Sequence, residues 1–124
     1  MERIQELIGQ LIAEHKEYLS ILKDMEKDLS QENIQKLIIL VENQIENHAQ
    51  VEENKLRELA EDKFDFEAFV FGHQQIRMVC EELKDHPSAE RALRLIDLLK
   101  VHFSEEETLY FPTILGYEPE IGEL

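Results

Sequence analysis

The chain has one cysteine and no tryptophan, and only four glycines and three prolines in 124 residues. A single thiol, Cys80, excludes an internal disulfide and any cysteine-built zinc or iron-sulfur cage, so metal binding would have to rest on nitrogen and oxygen. Few glycines and prolines leave little material for strands joined by tight turns and favour long helices. Basic residues are scarce too, 13 against 28 acidic ones, for a formal net charge of −15. Such a surface repels phosphate backbones and anionic bilayers, so neither nucleic acid nor membrane is expected as a partner. The longest apolar run, Leu37 to Val41, is far short of the roughly 20 residues that span a bilayer. The opening MERIQEL lacks the apolar core of a secretory signal, and a cytoplasmic location is expected. The length suits one domain with a real core, so residues 1–124 are read as a single domain.

What the chain does have is apolar residues repeating at 3.6-residue spacing through four segments. The first, about 2–29, carries Ile4, Leu7, Ile8, Leu11, His15, Tyr18, Leu22 and Met25 on one stripe. The second, about 31–61, starts behind Ser30 as N-cap and carries Ile34, Leu37, Ile38, Val41, Ile45, His48, Glu52, Leu56 and Leu59. The third, about 65–85, opens at Asp65 and runs through Phe66, Phe69, Val70, His73, Ile76 and Cys80 to Leu83. A turn at Asp85-His86-Pro87 leads to Ser88, which caps a fourth segment of about 88–111. Its stripe is Ala92, Leu95, Leu98, Leu99, His102, Phe103, Glu106, Leu109 and Tyr110, until Pro112 halts or kinks it. The tail 112–124 reads as irregular, with Tyr117 or Ile121 available to dock on the bundle end. Short connections make neighbours antiparallel, so the expected fold is all-α, an up-down-up-down four-helix bundle.

Six residues break the apolar rule. His15, His48, Glu52, His73, His102 and Glu106 occupy core-facing positions, and His48–Glu52 and His102–Glu106 repeat the same HxxxE word. Each alone has an ordinary explanation: a core histidine bonded to a neighbour, or an i,i+4 ion pair stabilising a helix by about 0.2–0.5 kcal/mol. Together they do not, because counting rise from the turns brings the histidines to one depth. From the turn near Pro87, for example, His73 and His102 both stand about 21 to 23 Å up. Imidazoles and carboxylates gathered in an apolar interior are costly unless a cation pairs with them. Four imidazoles and two carboxylates exceed what one tetrahedral zinc uses, whereas two ions bridged by Glu52 and Glu106 would use them all. Iron suits this mixture best, manganese less well. No ExxH or HExxH word occurs, so neither the ferritin-like di-iron pattern nor a zinc protease is in view.

The layout of His on helix one, HxxxE on helix two, His on helix three, and HxxxE followed by Leu-Tyr-Phe-Pro on helix four resembles the hemerythrin-like (HHE cation-binding) family. The likeness covers roughly Ile4 to Leu115. It implies that His15 and His48 bind one iron, His73 and His102 the other, and that Glu52 and Glu106 bridge them beneath an oxo or hydroxo group. Oxygen carriers of that family have HxxxH on helix three; here the second position is Arg77, which cannot ligate, so both irons would keep open positions. The carriers' helix-four carboxylate also falls at the position of Glu107, but helical phase favours Glu106. Phase likewise turns Glu53 away from the core, toward solvent.

Arg77 has two options, to reach solvent or to turn in and pair with an acid near the site. Gly72, beside His73, admits a close neighbour or a small ligand, Cys80 reads as a small buried hydrophobe, and His86 as a loop residue. The expected function is metal binding at a di-iron centre that binds or senses oxygen, nitric oxide or iron, with a small diatomic molecule or peroxide as partner. An enzyme turning over peroxide or nitric oxide, or serving iron-sulfur repair, is the alternative. A metal-free scaffold or phosphotransfer bundle is the third reading, and inward-facing histidines speak against it.

Overall fold

The computed structural model describes residues 2–117, and the positions from 118 on, including Ile121, lie outside the described residues. The protein is all-helical, a bundle of four helices. Among the described residues no helix is long and apolar enough to cross a membrane.

The first helix runs Glu2–Glu26. It stops three residues before the expected 29, because Asn33 Nδ2 donates to the Asp28 carbonyl at 2.6 Å and folds the connection early. Ser30 caps the second helix as expected, its hydroxyl accepting from Asn33 N at 3.2 Å. That helix is continuous over 31–60 but contains two widened π turns, Val41–Ile45 and Glu52–Leu56, on either side of His48. It ends at Glu61, whose φ of 56° is the one positive value at a non-glycine residue among the described residues.

The third helix, Glu67–Asp85, starts two residues later than expected because Asp65 accepts from Glu67 N at 3.0 Å as a turn and not as the cap itself. Ser88 caps the fourth, accepting from Arg91 N at 3.1 Å. This helix does not stop at 111. A π turn at Glu106–Tyr110 is followed by a further helical segment, Phe111–Leu115, with Pro112 in its first turn, where a missing N–H costs little. Gly116, at φ 88°, then closes the helix, with Gly116 N bonded to Thr113 O and Tyr117 N to Pro112 O. Tyr117 is exposed.

The π turns also shift the stripe. Beyond Glu106 the buried residues are Phe111 and Ile114, not the expected Leu109 and Tyr110, and beyond Leu56 the buried one is Ala60 in place of Leu59. An extra residue per turn rotates everything after it by about 100° relative to a plain α-helix.

The apolar interior falls into two clusters. One joins Tyr18, Leu22, Leu37, Ile45, Ile76, Leu99 and Phe103 with their neighbours; the other joins Leu11, Leu56, Phe69, Phe111 and Ile114. Fully burying aromatic side chains such as Phe69, Phe103 and Phe111 contributes roughly 2–3 kcal/mol each. In every helix the site residue lies between a member of one cluster and a member of the other: Leu11, His15, Tyr18; Ile45, His48, Leu56; Phe69, His73, Ile76; Leu99, His102, Phe111. The polar residues therefore form a layer across the waist of the bundle.

Candidate metal centre

All six residues singled out by the stripes are buried: His15, Glu52 and Glu106 at 0%, His48 and His73 at 4%, and His102 at 5% exposure. They meet. His15, His48, Glu52 and Glu106 form one group, and Glu52, His73, His102 and Glu106 a second, with the ligand atoms of each group within 4.8 Å of one another. Glu52 and Glu106 belong to both, so the carboxylates lie between the two pairs of imidazoles.

The ring nitrogens divide into an outer and an inner set. Outward, His15 Nδ1 lies 2.7 Å from Glu107 Oε2, His48 Nδ1 2.6 Å from Glu14 Oε1, and His73 Nδ1 2.6 Å from Glu53 Oε2. A carboxylate only accepts, so each of these Nδ1 atoms carries the proton and each Nε2 faces inward. Inward, His15 Nε2 and His48 Nε2 are 3.1 Å apart, and His15 Nε2 is 2.9 Å from Glu106 Oε1. His73 Nε2 is 2.9 Å from Glu52 Oε1, and His102 Nε2 is 2.7 Å from Glu106 Oε2. Two nitrogens bound to one ion at about 2.1 Å and near right angles would lie about 3 Å apart, which is the His15–His48 spacing.

The carboxylates are short of donors. Glu52 Oε2 and both oxygens of Glu106 are buried without a hydrogen-bond partner. The distances of Glu106 to imidazole are short, but the ring N–H directions miss its oxygens. An unpaired buried carboxylate oxygen is among the most costly groups a protein can hold, and this donor set, nitrogen plus carboxylate oxygen, is what a divalent transition metal accepts. The residues thus fit a metal ion, and the buried His and Glu groups could hold one.

Protons and metals compete here. Burial alone would lower His48, but the neighbouring Glu106 and Glu52 carboxylates outweigh it and push the imidazole up to about 10; His73 is pushed up to about 10 for the same reasons. Burial pushes Glu52 up, and the neighbouring Glu106 charge adds to it. Glu106 resists burial because the four imidazoles around it hold its carboxyl well below the usual range.

His102 differs from the other three. Its ring packs against Gly72, where an added Cβ would sit 2.8 Å from both His102 Cε1 and Nδ1. The close neighbour expected beside Gly72 is the fourth imidazole. Phe103 stacks on His15 with ring centroids 4.4 Å apart, holding that ring from the side.

Three residues of the centre were missed or misjudged from sequence. Glu53, expected to face solvent, points along the seam between helices two and three and bonds His73. Glu14 and Glu107 play the same part for His48 and His15 across the other seams. The available signal was an acid directly beside a stripe residue in each case: Glu14 by His15, Glu53 by Glu52, Glu107 by Glu106. Arg77 takes the inward option, donating to both oxygens of Glu46 at 2.9 and 2.8 Å and reaching within 3.7 Å of Glu53. Cys80 is buried, and burial pushes its thiol up to about 11, so it is the inert hydrophobe its position suggested. His86 is exposed, in the connection after helix three.

No protein-family model, no curated protein and no solved structure matches the chain.

Proposed function

We propose that this protein binds two metal ions, iron before manganese or zinc, at a carboxylate-bridged centre formed by His15, His48, Glu52, His73, His102 and Glu106. The observation that carries the reading is the inner surface of the layer: Nε2 atoms converging on three carboxylate oxygens that have no hydrogen-bond donor. His15 and His48 would hold one ion, His73 and His102 the other, with both glutamates shared. Glu14, Glu53 and Glu107 would fix the ring tautomers and raise ligand basicity from outside. The up-down-up-down arrangement and the hemerythrin-like resemblance belong to the same proposal. The first is supported by the alternating order in which successive helices meet the two apolar clusters, the second by the placement of one His or one HxxxE per helix.

With Arg77 engaged by Glu46 and no third imidazole on helix three, each ion would have free coordination positions. Binding or sensing a small diatomic molecule is therefore the function we favour. Peroxide or nitric oxide turnover at the same open positions is the second reading, and it rests on the same vacant third-ligand position at Arg77. A cytoplasmic setting is part of the proposal.

Metal analysis of protein purified without chelator tests the centre. About two irons per chain are expected, together with a thermal midpoint that falls on chelation. A chain that carries no metal and gains no stability from added iron would overturn it. Repeated peroxide consumption by the loaded protein would select the enzyme; a single stoichiometric adduct would select the binding protein.

A further inference from the structure

Next to His73 lies a cavity with room for about one water-sized molecule, about 10 Å³, bounded by Val41, Ile45, Ala49, Ile76, Glu46 and His73. Outside it, between helices two and three, runs a surface groove of about 440 Å³. The groove and the cavity share two wall residues, Val41 and Glu46, and Arg77 lines the groove side. Glu46 thus faces both spaces, and its bidentate partner Arg77 lies on the groove side. Both partners are about one-third exposed, 38% and 32%, so water can solvate both charged groups when they part.

The two spaces differ in chemistry. Four of the six inner wall residues are apolar. The outer approach carries Glu42, Glu46 and Glu81, with Glu53 behind Arg77, against the cations Arg77 and Lys84. Four carboxylates against two cations leave an excess of two negative charges, on a chain already at −15. An approach of one sign repels ions of that sign and slows their association. The groove over His48 is a separate space that shares no wall residue with the His73 cavity.

We propose that the groove and cavity are the route by which a small uncharged molecule reaches the His73 side of the centre, with Arg77 and Glu46 as the gate and the surrounding carboxylates as a filter against anions. The inference rests on the metal reading above and goes beyond it by assigning the approach and its selectivity to named residues.

The test uses the full chain loaded with iron, metal content being measured for every variant. Stopped-flow association is followed for nitric oxide with the reduced protein and azide with the oxidised one. Arg77→Met should speed nitric oxide about tenfold while leaving azide within about twofold, since it opens the gate but leaves Glu46 unpaired. Glu46→Gln removes a negative charge at the same place and should speed azide by about tenfold. Ala49→Val should fill the cavity and slow nitric oxide, with Ile76→Phe as a second plug if the first does not hold iron. Iron-loaded variants that all bind both probes at the wild-type rates would overturn the route while leaving the centre intact. A wild-type chain that takes up no iron would overturn both.

Discussion

His73 Nδ1 and the Glu53 carboxylate are 2.6 Å apart, although the two residues lie on different helices and Glu53 sits one step off the core stripe. The contact makes the imidazole a better donor on its inner side, because the carboxylate holds the Nδ1 proton and pushes electron density toward Nε2. Glu53→Ala should therefore weaken metal binding about 10- to 100-fold without removing a ligand. Competition with a chelator of known affinity measures it. Glu105→Ala, at an exposed position on helix four, should leave the affinity unchanged, and equal losses in both would remove Glu53 from the centre.

Gly72 is where His102 needs space. A methyl group there would meet the ring at 2.8 Å, too close for either to stay in place. Under the two-ion proposal, Gly72→Ala should cost about one ion per chain while the metal-free protein keeps its helical circular dichroism, since alanine favours helix by about 1 kcal/mol over glycine. Full occupancy in this variant would show that the ring can turn aside and still bind.

The two imidazoles pushed up to about 10, His48 and His73, are charged at neutral pH when no metal is bound. Their folded values lie above the ordinary 6.5, so the stability they contribute is complete below 6.5 and lost as pH rises through about 10. Metal must displace those protons. Loading at pH 7 should release about two protons per chain, and affinity should rise with pH across the neutral range. An indicator dye in weak buffer reads the release; loading without it would mean that both rings are already neutral.

One prediction concerns the scaffold alone. Glu61 ends helix two at φ 56° and ψ −123°, a conformation that glycine adopts freely and other residues do not. Glu61→Gly should raise the stability of the metal-free chain by about 1 kcal/mol in urea unfolding. A loss would show that the Glu61 side chain matters more than its backbone.

The four stripes and the six inward residues were legible because burying charge violates the 3.6-residue pattern, and His15, His48, Glu52, His73, His102 and Glu106 are the violations. The outer carboxylates were not. Helical phase sorts positions into core and solvent, but a helix in a bundle also has two seams, and Glu14, Glu53 and Glu107 lie on them. The π turns were equally hidden, since a uniform 100° step puts Leu109 and Tyr110 where Phe111 and Ile114 actually lie. With that widened turn unforeseen, Pro112 read as a stop or a kink, and the helical segment Phe111–Leu115 passes through it.

The position of the polar layer, between two apolar clusters that do not merge, bears on how the molecule comes apart. A bundle with one unbroken core melts as a unit, whereas here the oily contacts are interrupted part-way along every rod. Joining the halves falls to groups that water or acid can loosen, so on the proposed metal binding, a chelator should let hydrogen exchange begin within the helices as well as at their tips. The durability of this chain is then set by its girdle.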